Sequence, residues 1–280
     1  MNGLKTTLLL ALMSGMFLVV GQLIGGRSGM MFGLVIAIAM NFFSYFYSEK
    51  LALSMYSAQP ISPTSHREVY ARVSPMIRSL CDKMLLPMPK LWFIPDPSPN
   101  AFATGRNPTH SSVAMTEGVL TLMDDKELEG VLAHELGHVK NRDILTSSIA
   151  ATIGSAITML AQTALFFGGR SSDDEDRSPF TALLMLILAP IAAGMIQMAI
   201  SRTREFSADA SAAKYTGSPK GLISALEKLE NWSKRIPMDA TPATAHMFII
   251  KPFTSGTFSR LFSTHPSTKD RVEHLRALSV

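Results

Sequence analysis

The sequence predicts a mainly α-helical membrane protein that carries a small β-sheet and crosses the bilayer with four helices. Of its 280 residues, 47% are hydrophobic and 17% are charged, which is too apolar and too poor in charge for an ordinary soluble domain. The apolar residues are concentrated in four long uncharged stretches, and short strand-like runs lie between the second and the third. These three observations together define the fold class.

The four uncharged stretches are residues 6–26, 28–48, 144–169 and 178–201. A helix needs about 20 apolar residues to cross ~30 Å of hydrocarbon, so each stretch is long enough to span, and the four form two hairpins. Lys5 before the first stretch also fits a cleaved signal peptide, but no A-x-A-like site follows, which favours a retained anchor. The last two stretches could instead be buried core helices, although their length and lack of charge favour membrane insertion.

The distribution of basic residues predicts the orientation. Of the 26 Lys and Arg residues, only Arg27, Arg170 and Arg177 lie in the short loops inside the hairpins. The positive-inside rule therefore places both termini and the segment between the hairpins in the cytoplasm. The predicted organisation is two transmembrane helices at 1–48, a cytoplasmic part at 49–143, a second transmembrane hairpin at 144–201 and a second cytoplasmic part at 202–280.

The net charge of +4 is explained by basic surface beside anionic lipid, and no motif for binding nucleic acid accompanies it. We therefore expect the lipid bilayer, and not a nucleic acid, as a partner. The single cysteine, Cys81, cannot form an internal disulfide and suits a reducing compartment, where it is expected to be a small packing residue.

The first cytoplasmic part begins with a predicted helix at 65–86, and Pro75 is expected to kink it. Short strands are predicted at 91–94, 100–104 and 112–116, and they suggest a small sheet over the following helix. An exposed edge of this sheet could hold an extended peptide through its main chain. The candidate substrate-binding residues are Asn100, Ala101 and Phe102, and the alternative for them is a purely structural strand.

The segment at 134–138, with the letters HELGH, has the pattern of a zinc hydrolase site. His134 and His138 are four residues apart, so on a helix both imidazoles fall on one face and can reach a single tetrahedral Zn²⁺. Glu135 lies beside them and is the expected base that takes a proton from the attacking water and passes it to the departing amine. The alternative is a surface helix that carries two histidines by coincidence.

The residues around this motif favour a zinc site over a coincidental surface helix. Asp124 and Glu127 predict a capping box, so the motif lies on a well-specified helix. Metzincins are excluded because they require a glycine and a third histidine where this chain has Asn141 and Ile144. Charged residues flank the motif on both sides and belong at a wet surface, so cleavage is expected on the cytosolic side and not inside the bilayer.

A hairpin of two spanning helices returns the chain to the side from which it left, so residues that follow the fourth stretch meet the motif helix. Glu205 can then supply the third zinc ligand, and Asp209, one helical turn later, can orient a ligating histidine. The alternative for both is a solvated acidic face beside neighbouring arginines.

The chain is predicted to be helical again after Ser218, and a long stretch from residue 236 follows. His265 lies at the end of that stretch, before a last helix that Ser267 and Asp270 open. Its imidazole could donate a hydrogen bond to the oxyanion of a tetrahedral intermediate, although a lone histidine is more often structural.

Taken together, the motifs resemble the HtpX family of bacterial membrane zinc metalloproteases, related to the CAAX prenyl endopeptidase. The resemblance covers nearly the whole chain: the two leading spans, NAFATG at 100–105, ELEGVLAHELGH at 127–138, REFSAD at 204–209 and THPS at 264–267. It implies a thermolysin-like (gluzincin) protease domain with one zinc ion bound by His134, His138 and Glu205. It also implies Glu135 as the catalytic base and supports a catalytic role for His265.

The same resemblance implies that the substrates are unfolded, damaged or misassembled membrane proteins at the bacterial inner membrane, with a role in the stress response. The expected protein partners are a second copy of the chain or other membrane quality-control proteases.

Two other classes of protein share part of these features. A catalytically silent membrane chaperone or scaffold would have the same spans but gives no reason for an intact Glu135, and a transporter would carry charges inside its spans, which these spans lack.

Overall fold

The computed structural model describes residues 2–149, 202–233, 249 and 266–278, and within them it is mostly helical with one small sheet. The helices are α1 (Asn2–Met55), α2 (Arg67–Met84), α3 (Glu117–Leu122), α4 (Asp125–Lys140), α5 (Arg202–Thr216), α6 (Lys220–Ser233) and α7 (Thr268–Ala277). The strands are β1 (Gln59–Pro60), β2 (Lys90–Ile94), β3 (Ala101–Asn107) and β4 (His110–Thr116). Residues 144–149 are also helical.

Helix α1 is a hairpin of two helical halves joined at Gly25 and Gly26, whose backbone angles are not helical. Gly26 has a φ of +57°, a conformation that glycine adopts without the strain of a side chain. The halves pack backbone to backbone, because a Cβ atom added at Gly21 or Gly29 would overlap the other residue's carbonyl. The predicted first hairpin is therefore present as a pair of packed helices.

Among the described residues, one helix is long and apolar enough to cross a membrane, the second half of the hairpin at Gly25–Met55. The first half contains a shorter apolar helix at Thr6–Gln22. Most of the third predicted span and all of the fourth lie outside the described residues. The four-span topology therefore stays a prediction.

The start of the third apolar stretch packs against the first half of α1. Leu9 and Met13 form a buried cluster with Ile149. The hydroxyl groups of Thr6 and Thr146 are 3.1 Å apart, so the two segments are joined at their polar ends as well. The two N-terminal helices and the helix that begins at residue 144 thus belong to one packed unit.

The sheet has the strand order β1-β2-β4-β3. Strand β2 pairs in parallel with β4, whereas β1 and β3 pair antiparallel with their neighbours. The three predicted strands are confirmed, and β3 is an edge strand, as the substrate hypothesis requires. The two-residue strand β1 was not predicted, because it is too short to show an alternating pattern.

Helix α4 lies at the centre of the larger hydrophobic core. Its apolar residues Leu128, Val131, Leu132 and Leu136 are fully buried. Gly137 allows α5 to approach closely, because a Cβ atom there would lie 3.1 Å from the Cα of Ala208. The motif helix is therefore packed between β3 on one side and α5 and α6 on the other.

Helix α2 covers α4 and continues through Pro75 without interruption. It begins at Arg67 and ends at Met84, slightly inside the predicted bounds. Cys81 is buried in this core, and burial, together with Asp82, raises the pKa of its thiol to about 11. The cysteine is therefore a protonated packing residue, as the sequence predicted.

Candidate metal centre and active site

The N-terminus of α4 is held by the predicted capping box. The Asp124 carboxylate accepts hydrogen bonds from the backbone N–H groups of Lys126 and Glu127, and the Glu127 carboxylate accepts one from the backbone of Asp124. Glu127 also accepts hydrogen bonds from Ser224 and Lys228 of α6, at 2.6 and 2.7 Å. These contacts fix the helix that carries the motif against its neighbour.

The structure brings the three predicted metal ligands together. The Nε2 atoms of His134 and His138 are 3.3 Å apart. Glu205, on α5, places its carboxylate oxygens 3.8 Å from His134 Nε2 and 3.7 Å from His138 Nε2. One ligand atom from each residue lies within 4.8 Å of the others, and all three side chains are wholly or largely buried. The alternative of a solvated acidic face is wrong for Glu205.

Asp209, one turn after Glu205, contacts His134 in the structure, and this contact supports its predicted role in orienting that histidine. Its Oδ1 atom is 2.9 Å from His134 Nδ1, and the carboxylate is completely buried. With Nδ1 bound to this carboxylate, the imidazole directs Nε2 towards Glu205 and His138. Burial alone would raise the pKa of Asp209, but the Arg271 guanidinium and His134 lower it below its ordinary value.

Arg271 is a part of the site that the sequence analysis missed. It lies on α7, is almost completely buried, and donates hydrogen bonds from Nε and Nη2 to the two carboxylate oxygens of Asp209, at 2.9 and 2.6 Å. A third bond from Nη1 reaches the carbonyl of Ile249 at 2.7 Å. The guanidinium is therefore a fixed cation against the predicted ligand His134: its Nη2 atom lies 3.3 and 3.4 Å from the two ring nitrogens, and its Nη1 atom lies 3.8 Å from Glu205 Oε2. The only signal in the sequence was its place one turn into the last predicted helix.

Asp143 was also missed, and it plays for His138 the part that Asp209 plays for His134. Its Oδ2 atom is 3.2 Å from His138 Nδ1, and it is buried at the end of the turn that follows α4. Burial would lower the pKa of His138, but Asp143, Glu205 and Glu135 together raise it to about 9. The carboxylates around His138 therefore supply enough negative charge to stabilise a cation beside its imidazole. An acidic residue immediately before an apolar run was the signal available in the sequence.

Glu135, the predicted base, contacts the edge strand of the sheet. Its Oε2 atom accepts a hydrogen bond from the backbone N–H of Ala103 at 2.9 Å. Burial raises the pKa of the Glu135 carboxyl, against the lowering effect of His134 and His138. A carboxylate with a raised pKa is suited to accept a proton and release it again near neutral pH.

Of the predicted substrate residues, Ala101 and Phe102 begin β3 and Asn100 directly precedes it, and all three are buried. The Asn100 amide oxygen accepts a hydrogen bond from the backbone of Ile249, and its carbonyl accepts one from the backbone of Thr116. The Phe102 ring packs on Tyr56, with ring centroids 5.4 Å apart. Because Asn100 faces β4, antiparallel alternation turns the main-chain groups of Ala101 away from β4. Any contact with substrate at Ala101 is therefore expected from the main chain, and the substrate role of all three residues stays a prediction.

His265 lies outside the described residues. The helix that follows it is present, and Ser267 and Asp270 form a second capping box at its N-terminus. This helix is the one that supplies Arg271.

The donor set fits a divalent metal. Two imidazole nitrogens and one carboxylate are the ligands of open tetrahedral sites, in which a fourth position remains for water or substrate. Buried carboxylates on the opposite ring nitrogens of both histidines are the usual partners of metal-bound imidazoles. The contacts with these carboxylates thus set the orientation of both predicted histidine ligands.

The fold and the site define a class of metallopeptidase in which a helix with the HExxH pattern supplies two histidines and the base, and a later helix supplies a glutamate ligand. The family model described as peptidase family M48 matches residues 66–279, and the chain belongs to this family. It is therefore a protease by family.

Curated relatives agree with this assignment. The chain is 53% identical to a protease HtpX homolog of Desulfatibacillum aliphaticivorans and 52% identical to one of Desulforapulum autotrophicum, covering 98% of this chain and 89% of the relative in each case. It is 48% identical to a protease HtpX homolog of Methylibium petroleiphilum, over 99% of this chain and 98% of that relative. The resemblance to the HtpX family is confirmed.

A solved structure, Ste24p of S. mikatae, matches with a TM-score of 0.48 and 21% identity. The match covers 98% of this chain and 62% of the Ste24p chain.

Proposed function

We propose that this protein is a membrane-bound zinc metalloendopeptidase with a thermolysin-like active site. It cleaves unfolded, damaged or misassembled membrane proteins, and some soluble ones, at the cytoplasmic face of the bacterial inner membrane during quality control and stress. The observation that carries the proposal is the convergence of His134, His138 and Glu205 beside Glu135. An inactive relic would not need a buried base next to a complete set of ligands.

Zinc held by His134, His138 and Glu205 would act as a Lewis acid towards the substrate carbonyl and the attacking water. The Glu135 carboxylate accepts the proton of that water and transfers it to the departing amine. Asp209 and Asp143 keep the two imidazoles in the orientation that ligation requires. The outer edge of β3, where the N–H groups of Ala103 and Gly105 already bind Glu135 and Ser148, aligns an extended peptide through main-chain groups such as those of Ala101. Binding through the main chain accounts for broad specificity towards unfolded segments.

The membrane part of the proposal is supported by the exposed side chains of α1. Large apolar residues such as Phe32, Val35 and Ile38 are more than 60% exposed on the second half of the hairpin, which is unfavourable in water and favourable in lipid. The cytoplasmic orientation is supported by the basic residues that the sequence places outside the hairpin loops.

The test compares the wild type with Glu135→Gln, both purified in detergent as full chains with zinc loading controlled by a chelator. We expect both to bind one zinc per chain and the variant to cleave an unfolded protein about 10²–10⁴-fold more slowly. Glu129→Gln, a partly exposed position on the same helix, is the matched control and should cleave like the wild type. If the wild type and Glu135→Gln both hold zinc and neither cleaves, the protein is a chaperone or scaffold and the protease proposal is wrong.

A further inference from the structure

The cytoplasmic end of the hairpin carries a belt of aromatic side chains. Phe42, Phe43, Tyr45, Phe46 and Tyr47 are each between 37% and 58% exposed, and we call them the aromatic belt. Glu49 and Lys50 follow after Ser48. Exposed aromatic rings that pass into charged residues at the end of an apolar helix mark the level of the lipid headgroups.

The tip of the β3–β4 hairpin touches this belt. The Arg106 guanidinium lies over the Phe46 ring, 5.4 Å from its centroid. Lys50 lies in the same way over Tyr47, at 5.7 Å. Two cations at the headgroup level match the negative surface potential of a cytoplasmic leaflet. The end of β3 is therefore placed against the membrane surface.

A second and independent contact also places β3 at the level of the lipid headgroups. The Thr104 hydroxyl is 2.7 Å from the hydroxyl of Ser148, and both side chains are buried. Ser148 is in the apolar run that begins at Ile144, the predicted entry of the third span. Strand β3 thus contacts two different segments at the points where they enter the membrane.

The predicted active site lies a short distance along β3 from the headgroup contact at Arg106. Ala103, whose N–H binds Glu135, is next to Thr104 and three residues from Arg106. A strand advances about 3.3 Å per residue, so Ala103 lies no more than about 10 Å from the headgroup contact, whatever the tilt of the strand. The carboxylate and the scissile bond add only a few ångströms, which corresponds to roughly five residues of extended substrate.

We propose that the enzyme selects extended segments directly next to a transmembrane helix and cuts them about five to ten residues from the bilayer, with the Arg106 tip held against anionic headgroups. This inference rests on the proposed protease function and specifies its substrate class. A peptide that leaves the bilayer reaches β3 without having to loop back, whereas a distant segment must first be brought to the membrane surface.

The test uses the full-length wild type in vesicles of phosphatidylethanolamine and phosphatidylglycerol with a single-span substrate. The substrate has a cytoplasmic tail made of one short unfolded sequence repeated six times, so that every repeat offers the same bonds, and mass spectrometry maps the first cuts. We expect them to fall in the repeat nearest the membrane. First cuts spread evenly over the repeats, or located in the distal ones, would overturn the inference while leaving the protease function intact.

The same tail without its span serves as the soluble reference. If wild-type enzyme cuts neither the anchored nor the soluble tail, the proposed function itself fails and the inference with it. Cutting of the soluble tail with distal cuts in the anchored one identifies a protease without preference for the membrane surface, so the two failures are distinguishable.

The lipid contact is tested with Arg106→Glu. We expect the wild type to cut the anchored tail about fivefold faster in anionic vesicles than in phosphatidylcholine vesicles, since one cation near the surface has about that effect, and the variant to lose this difference. Arg78→Glu, an exposed cation on α2, is the matched control and should keep it. An Arg106→Glu enzyme with the full wild-type dependence on anionic lipid would overturn the placement of the tip.

Discussion

Arg271 shows how a residue far from the motif in sequence determines the geometry of a ligand. Its guanidinium makes two hydrogen bonds to Asp209, and Asp209 in turn binds His134. Asp143, which lies 3.9 Å from Arg204, contacts His138 in a similar way, at 3.2 Å against 2.9 Å for Asp209 and His134. Each of the two histidines therefore has a buried carboxylate on its Nδ1 atom.

We expect Arg271→Met to weaken zinc binding about 10- to 100-fold, because the buried Asp209 loses its counter-charge and no longer holds His134 in place. Zinc affinity measured by competition with a chelator, at a temperature at which the variant is folded, checks this. Arg276→Met is the control, since Arg276 is an exposed residue of the same helix, paired with Glu227. A folded Arg271→Met protein with wild-type affinity for zinc would contradict the prediction.

Asp143→Asn is predicted to lower zinc affinity about tenfold, because the amide keeps the shape of the side chain but removes the charge that supports His138. The same chelator competition measures the effect, and Asp125→Asn, at an exposed aspartate of α4, is the matched change of charge. Equal affinities for the two variants would show that the 3.2 Å contact does not support the ligand.

The sequence predicted the residues whose relation is local or fixed by the topology. The spacing of His134 and His138 within one helical turn is a local property, and Glu205 followed from the return of the chain after an apolar hairpin. Arg271 could not be found in this way, because its contact with Asp209 depends on how α7 packs against α5, and no local pattern reports that packing.

At the scale of elements, the N-terminal hairpin is held by close contact between its two halves. Gly21 and Gly29 bring the backbones together, and Asn41 donates a hydrogen bond to the Ser14 hydroxyl across the interface at 2.9 Å. Close approach at small residues and polar contacts between helices are the main attractive terms available in lipid, where the hydrophobic effect does not operate.

Gly29→Leu should therefore separate the halves and lower the free energy of unfolding by about 1–3 kcal/mol or more, the usual cost of overpacking. Gly15→Leu is the matched control, because a Cβ atom at Gly15 meets nothing within 4 Å. Thermal unfolding in detergent distinguishes the two, and an equal effect of both substitutions would mean that the interface tolerates a side chain.

The sequence predicted which segments are helices and strands better than it predicted the residues at which they begin and end. The sheet was recognised from β2, β3 and β4, whose sequences alternate or run apolar between turn residues. Pro75 lies inside α2, which runs from Arg67 to Met84, and the kink expected at this residue stays a prediction. The edge position of β3 is a property of the whole sheet that the separate strand patterns do not contain.

At the scale of the whole molecule, the predicted metal site joins the two parts of the chain that precede and follow the predicted second hairpin at 144–201. The histidines belong to α4, and Glu205 belongs to α5, which packs along α4 at the close contact of Gly137 with Ala208. A ligand set that is divided between two helices links metal binding to their packing, because the ion binds the folded arrangement and not the unfolded chain.

Removal of zinc should therefore lower the stability of the protein. At a zinc concentration about 1,000 times the dissociation constant, binding stabilises the folded state by roughly 4 kcal/mol, so the zinc-loaded protein should melt at a clearly higher temperature than the chelator-treated one. Glu205→Ala should lose most of this zinc-dependent increase, because only the histidines on α4 remain. Glu135→Gln should retain it, since Glu135 contacts β3 and is not a ligand. A zinc-dependent increase that survives in Glu205→Ala would show that the metal is held by α4 alone and does not join the two parts of the chain.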